Sequence, residues 1–281
     1  MSSKVSGLLA DALDPVLQRE MVAPALERAF PAALPLITAV NKAHVLMLVE
    51  CRILTRETAR PLAGAILELE RQGVGAFVLD PAREESYFNY EARLMELVGA
   101  DIGGRVHVAR SRNDLYATMD RLRARAALAA ISAGMLALRE AILERAAAHR
   151  DVLMPGYTHM QPAQPITFGY YLAGIAQALE RDQRRLAECW PRLNRGPLGA
   201  GALAGTSFPI DRAMTARLLG FDSVEPHAQD SVGVRDQLLE LLSIAAIAAT
   251  GWGRMAQDFF FMTTYEFATL AFPDSVAQTS S

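Results

Sequence analysis

Apolar residues recur at helical spacing along most of this chain. Leu115, Met119, Leu122, Ala126, Ala129 and Met135 share one such pattern, and between residues 113 and 149 there is no proline and one glycine, Gly134. That run predicts a helix about 50 Å long at ~1.5 Å of rise per residue. A second long helix is predicted over 167–189 and a third over 231–265. In the third, Leu238, Leu239, Leu241, Leu242, Ile244 and Ile247 are apolar on more than one face, as suits a helix buried on several sides of a bundle. Toward the N-terminus, residues 24–70 read as helices broken near Pro31 and Pro35. A connection follows at Pro81 and the polar run 83–86, then a helix over 89–98 and a link rich in glycine at Gly99, Gly103 and Gly104. No alternating apolar–polar stretch is long enough to argue for a sheet, beyond short strands near 106–108 and 207–210.

The pattern therefore predicts a mainly α protein with two parts: an N-terminal helical domain, residues 1–112, and a central long-helix bundle, residues 113–281. Long helices with apolar residues all round are hard to satisfy inside one small subunit, so association through these helices is expected. Composition agrees with a helix-rich fold: 51% of the 281 residues are hydrophobic and 21% charged, with Ala and Leu prominent. A net charge of -3 offers no basic surface for nucleic acid, although it leaves room for a local basic pocket. Cys51 and Cys189 imply neither a disulfide framework nor a metal knuckle, and the histidines show no ligand spacing with carboxylates. The first residues lack the apolar core of a signal peptide, and no uninterrupted apolar run reaches the ~18 residues of a membrane span. A cytoplasmic location is expected.

Three segments carry candidate chemistry. Ser111-Arg112-Asn113-Asp114 opens the longest predicted helix, where free backbone N–H groups favour anions and an arginine fork suits a carboxylate. The bland reading is an N-cap beside a solvated arginine. Met154 to Gln164 is stiffened by Pro155 and Pro162 and sets Thr158 beside His159, with Gln161 close behind. A histidine there can move a proton near neutral pH. Gly196 to Thr206 lacks both the phosphate-loop ending and the dinucleotide spacing, so close helix packing or a tight turn lining a substrate is the better reading.

Taken in order, these segments resemble the argininosuccinate lyases of the aspartase/fumarase superfamily, which carry Gly-Arg-Ser-Arg-Asn-Asp, then Met-Pro-Gly-Tyr-Thr-His-Leu-Gln, then Ser-Pro-Leu-Gly-Ala-Gly-Ala-Leu-Ala-Gly-Thr. Arg235-Asp236 and Glu266-Phe267 also line up. The resemblance implies a homotetrameric helical bundle with sites shared between subunits and no cofactor. It implies a carbon–nitrogen lyase that eliminates fumarate from an N-substituted aspartate by anti β-elimination. Ser111, Arg112, Asn113 and Thr158 would hold the succinyl carboxylates, Gln161 and Arg235 would join the binding set, and His159 would polarise the site or serve in proton transfer. The family's mobile loop opens Gly-Ser-Ser, and alignment from Asp274 makes Ser280 the candidate base, or Ser281 if the register slips by one. The loop's lysine and asparagine would lie beyond Ser281, which would leave the bundle domain incomplete at its C-terminal end.

Departures from the family pattern concentrate where the leaving amine would bind. Tyr87 stands for a histidine, Ile37 for an aspartate and Leu115 for a glutamine. Loss of such groups argues against a guanidinium and toward an aminopolycarboxylate such as ethylenediamine disuccinate, with argininosuccinate as the other substrate. A non-catalytic, crystallin-like member is the alternative of another class.

Overall fold

A computed structural model of the protein describes residues 13–277. The elements in chain order are α1 (Ala23–Glu50), α2 (Arg56–Gln72), α3 (Ser86–Val98), α4 (Arg112–Ala148), β1 (Leu153–Thr158), β2 (Gln161–Thr167), α5 (Phe168–Leu193), β3 (Arg195–Gly196), α6 (Arg212–Leu218), β4 (Ser223–Val224), α7 (Ala228–Gly233) and α8 (Asp236–Met262). They form two compact units. The first comprises residues up to Ala124 together with Asn194–Arg235, and the second comprises Arg125–Leu193 together with residues from Asp236 onward. The division falls within α4.

In the first unit α1 is the hub. Phe30, Ile37, Val40 and Leu48 are fully buried along it, and the unit's core continues through Leu62 and Leu69 of α2, Tyr87, Tyr90 and Leu94 of α3, and Leu115 at the start of α4. Full burial of each such side chain contributes roughly 1.5–3 kcal/mol. Contrary to the sequence expectation, α1 does not break at Pro31 or Pro35. Both prolines lie on its exposed face, where the carbonyls they leave unpaired can turn to water, while Phe30, Ala33, Leu34 and Ile37 hold the other face in the core. Thr55 caps α2 by accepting the Thr58 N–H, and Gly73, with φ of 66°, ends it.

The strand expectations need correction. Residues 104–107 form a 3-10 turn and 207–210 are irregular, whereas β3 and β4 form a short parallel pair elsewhere in the first unit. The segment read as a stiff loop is the antiparallel hairpin β1–β2, with Leu153 opposite Thr167, Met154 opposite Ile166 and Pro155 opposite Pro165. A two-stranded ribbon is all edge, so its prolines cost little pairing.

The second unit packs three long helices side by side. Arg139 pairs with Glu180 at 2.9 Å, Gln183 donates to Ser132, and the Arg125 guanidinium lies 5.6 Å from the Trp190 ring centroid, so α4 and α5 run antiparallel. Tyr171 donates to Asp258 at 2.9 Å near one end of the α5–α8 pair and Arg192 donates to Glu240 at 2.8 Å near the other, which makes that pair antiparallel too. Gly169 lets the start of α5 meet the end of α4: a Cβ there would lie 2.5 Å from the Ala146 carbonyl oxygen. Along α8, Leu241, Ile244 and Ala248 are buried, while Leu239, Leu242 and Phe260 are each more than 60% exposed.

Three helical stretches, Pro15–Glu50, Arg112–Ala148 and Asp236–Met262, are long and apolar enough to cross a membrane by length and composition. The sequence criterion of an uninterrupted apolar run missed them because each tolerates a few charges. The first is the buried hub of its unit.

Candidate active site

The start of α4 is built as a capping box. Ser111 Oγ accepts the Asn113 N–H at 3.3 Å, and Asp114 Oδ1 accepts the Ser111 N–H at 3.1 Å. Two of the helix's unpaired donors are thereby satisfied reciprocally. The other oxygen of Asp114 reaches across to the turn rich in glycine. Oδ2 accepts the N–H of Gly199 at 3.0 Å and that of Gly201 at 2.9 Å. Asn113 adds a further tie, donating through Nδ2 to the Ala202 carbonyl at 3.0 Å. The anion that this turn cradles is the chain's own carboxylate.

Asp114 is fully buried. Burial pushes its carboxyl above the usual carboxylate range, against the pull of the Gly201, Ser111 and Gly199 N–H groups and the Arg110 charge. The turn is clamped from its other side by Arg212, which donates through Nε to the Leu198 carbonyl at 3.2 Å and through Nη2 to the Glu225 carbonyl at 2.9 Å.

Beside this start sits a buried polar network. Arg110 donates through Nη2 to Asn41 Oδ1 at 2.8 Å and to the Tyr87 hydroxyl at 3.1 Å, and the same hydroxyl lies 2.8 Å from His107 Nδ1. His44 Nε2 lies 2.8 Å from the Val108 carbonyl, so it carries the proton there. Burial is the main reason that His44 falls to about 3 and His107 to about 4, and the Arg110 charge adds to it in both. Ala109, where the family pattern has glycine, takes a left-handed backbone with φ of 62° to bring Arg110 inward.

Arg112 points elsewhere. Its Nη1 donates to Glu85 Oε1 at 2.7 Å, and its guanidinium lies 4.5 Å from the Phe88 ring centroid. Arg235, in the same unit, donates through Nη1 to the Val232 and Val234 carbonyls, both at 2.9 Å, and pairs with Asp120 at 3.6 Å.

In the second unit, Thr158, His159 and Gln161 gather at the tip of the β1–β2 hairpin. Thr158 and Gln161 face each other across the ladder, and His159 and Met160 make the turn with φ of 49° and 59°. All four are exposed. Ser280 and Ser281 lie outside the described residues. Among the described residues, no group of three or more His, Cys, Asp or Glu side chains could hold a metal ion.

Of the three positions read as amine-side departures, Ile37 and Leu115 are wholly buried in the apolar core and present no polar group to a ligand. Tyr87 alone carries its polar atom into the network described above. Sequence reasoning missed Asp114 and Arg110 as site-building residues. The serine-to-aspartate spacing of a capping box was visible in Ser111 to Asp114, but nothing local tied Asp114 to a turn 85 residues away.

Residues 36–281 match the sequence model of a lyase family. The chain is 40% identical over 242 residues to argininosuccinate lyase 1 of Shouchella clausii, covering 86% of this chain and 49% of that one. It superposes on the crystal structure of EDDS lyase in complex with formate with a TM-score of 0.85 and 32% identity, over 96% of this chain and 54% of that chain. A variant of EDDS lyase with bound fumarate gives a TM-score of 0.84 and 32% identity, over 97% and 54%. The chain spans about half the length of the curated relatives it matches. With the match extending over residues 36–281 and these similarities beside it, the chain belongs to the lyase family, in the argininosuccinate lyase branch of the aspartase/fumarase group.

Proposed function

We propose that this chain carries the carboxylate-binding part of a carbon–nitrogen lyase that cleaves an N-substituted aspartate to fumarate and an amine by anti β-elimination. The observation that carries the reading is the start of α4, where Ser111, Arg112 and Asn113 are held on a rigid capped turn at the positive end of a long helix. In such a reaction a base removes a weakly acidic carbon proton beside a carboxylate. The dianion that forms needs concentrated, fixed donors, and the departing nitrogen needs a proton. Arg112, Asn113 and the free N–H groups of the helix start supply donors of that kind. Thr158 and Gln161 would add theirs from the hairpin tip, with His159 in proton transfer and Arg235 in the binding set. Ser280, or Ser281 beside it, would be the base.

The amine half of the substrate is best read as an aminopolycarboxylate of the ethylenediamine disuccinate type. Tyr87 in place of a histidine supports this, as does the close fold match to EDDS lyase. Argininosuccinate is the second reading, favoured by the 40% identity to an argininosuccinate lyase. The enzyme would work in the cytoplasm as a homotetramer, its exposed Leu239, Leu242 and Phe260 covered by other subunits and each site drawing segments from several of them.

The test is fumarate release, followed by ultraviolet absorbance, with the full-length protein offered ethylenediamine disuccinate and argininosuccinate separately. Faster release from the diamine substrate is expected. Preference for argininosuccinate would reverse the substrate reading, and release from neither would sink the reaction.

A further inference from the structure

Why does a turn with the conformation of an anion cradle face the start of the longest helix? Gly199 and Gly201 both have positive φ, 90° and 64°, and their N–H groups converge on one oxygen. Convergent backbone donors of this kind form a nest for an anion. A side chain at Gly201 is excluded, because a Cβ would lie 2.4 Å from the Gly205 carbonyl oxygen. The nest is filled from within by Asp114, whose second oxygen holds the Ser111 N–H.

We propose that Asp114 is a positioning residue: its carboxylate joins the nest at 199–201 to the 111–113 turn so that Arg112 and Asn113 meet a ligand carboxylate from a fixed frame. This inference rests on the reaction proposed above. Four observations on independent atoms support it. Three N–H groups from two segments end on one carboxylate, at 2.9 to 3.1 Å. Asn113 returns a bond to Ala202 of the same turn. Arg212 ties the Leu198 carbonyl of that turn to the Glu225 carbonyl outside it, so the cradle cannot relax toward Asp114 without breaking the clamp. Asp114 also lies at the third residue of α4, one position beyond the asparagine it steadies. Fixing donors before the ligand arrives removes their ordering cost from binding.

Asp114→Asn is the informative change. The amide keeps the shape but turns an acceptor into a donor, which meets N–H groups on whichever side it faces. In the full-length protein, amide exchange at Gly199 and Gly201 is expected to quicken at least about tenfold. The fumarate Kd, measured calorimetrically well below the melting transition of both proteins, is expected to rise at least about tenfold. A role confined to stability would leave that Kd unmoved in the folded variant, so an unchanged Kd overturns the proposal. Unchanged exchange at both glycines overturns it as well. If Asp114→Asn does not fold, Asp114→Gly in the presence of formate takes its place: formate should fill the vacated nest and restore fumarate binding, and no recovery counts against the proposal. Should the wild type neither bind fumarate nor release it, the proposed reaction falls and the positioning role falls with it. Faster glycine exchange in the variant would then show that the tether itself is real, which distinguishes the two failures.

Discussion

Glu85 accepts a hydrogen bond from Arg112 at 2.7 Å, so the arginine offered for substrate carboxylates already holds a carboxylate of its own chain. The pair is roughly 40% exposed on both sides, and such pairs are worth about 0.2–1 kcal/mol. An anionic ligand at Arg112 must share the guanidinium with Glu85 or displace it, while a cationic amine beside that ligand would gain from the same carboxylate. Glu85→Gln should therefore tighten fumarate binding by up to about threefold and raise KM for an N-substituted aspartate. Calorimetry with fumarate and steady-state kinetics together check both directions. Weaker fumarate binding in the variant would show that Glu85 orients Arg112 rather than competing for it.

The buried histidines give the first unit an acid sensitivity. His44 and His107 titrate near 3 and 4 in the folded protein and near their ordinary 6.5 in an unfolded chain. Between those values the unfolded chain binds more protons, so the stability they permit is present above 6.5 and is lost as pH falls toward 4. Each contributes a slope of about 1.4 kcal/mol per pH unit where it is fully developed. Glu91 and Asp114, whose carboxyls burial raises, act with the opposite sign as they titrate. The melting temperature should fall between about pH 7 and about pH 5.5, and His107→Gln should flatten that fall. An equal fall in the variant would assign the sensitivity elsewhere.

How far the sequence carried the fold follows from what each feature depends on. The long helices were legible because period and the absence of proline are local properties, and α4, α5 and α8 lie close to where spacing put them. α1 was misread because proline is judged by its neighbours in sequence, whereas the exposed position of Pro31 and Pro35 is a tertiary fact. The hairpin was missed because three prolines mask a ribbon that has only edges. At the site, the capping role of Ser111 was open to reading, but the tie from Asp114 to Gly199 and Gly201 joins segments far apart in the chain. Alignment alone makes Ile37 and Leu115 altered ligand contacts, yet they are core residues: identity alone does not tell a pocket wall from the packing behind it.

The glycines of the 196–206 turn differ in what they demand, and two substitutions separate them. Gly201→Ala meets both a positive φ of 64° and a Cβ position 2.4 Å from the Gly205 carbonyl oxygen. Gly205→Ala meets a positive φ of 79° with nothing within 4 Å. Backbone strain alone costs about 1–2 kcal/mol, so Gly205→Ala should lose about that much. Gly201→Ala should lose several kcal/mol, because the turn must open and the Asp114 bonds weaken with it. Denaturant unfolding of both variants checks the order, and equal losses would mean that the turn yields freely at Gly201.

The hairpin tip carries a different strain. His159 and Met160 occupy the two central positions of a two-residue turn, both with positive φ, a conformation that favours Asn-Gly and suits neither residue. Met160 is 56% exposed and gives up little packing if it is removed. Relief of a left-handed φ is worth about 1–2 kcal/mol, against about 0.5–1 kcal/mol of added chain entropy for glycine. Met160→Gly should accordingly stabilise the second unit by about 0.5–1 kcal/mol while leaving His159 in place. If the tip serves only to present His159, fumarate release should survive this change and fail in His159→Ala. A Met160→Gly protein that is less stable than the wild type would show that the methionine packs against something beyond this chain, such as another subunit, and that the strain is retained for that contact.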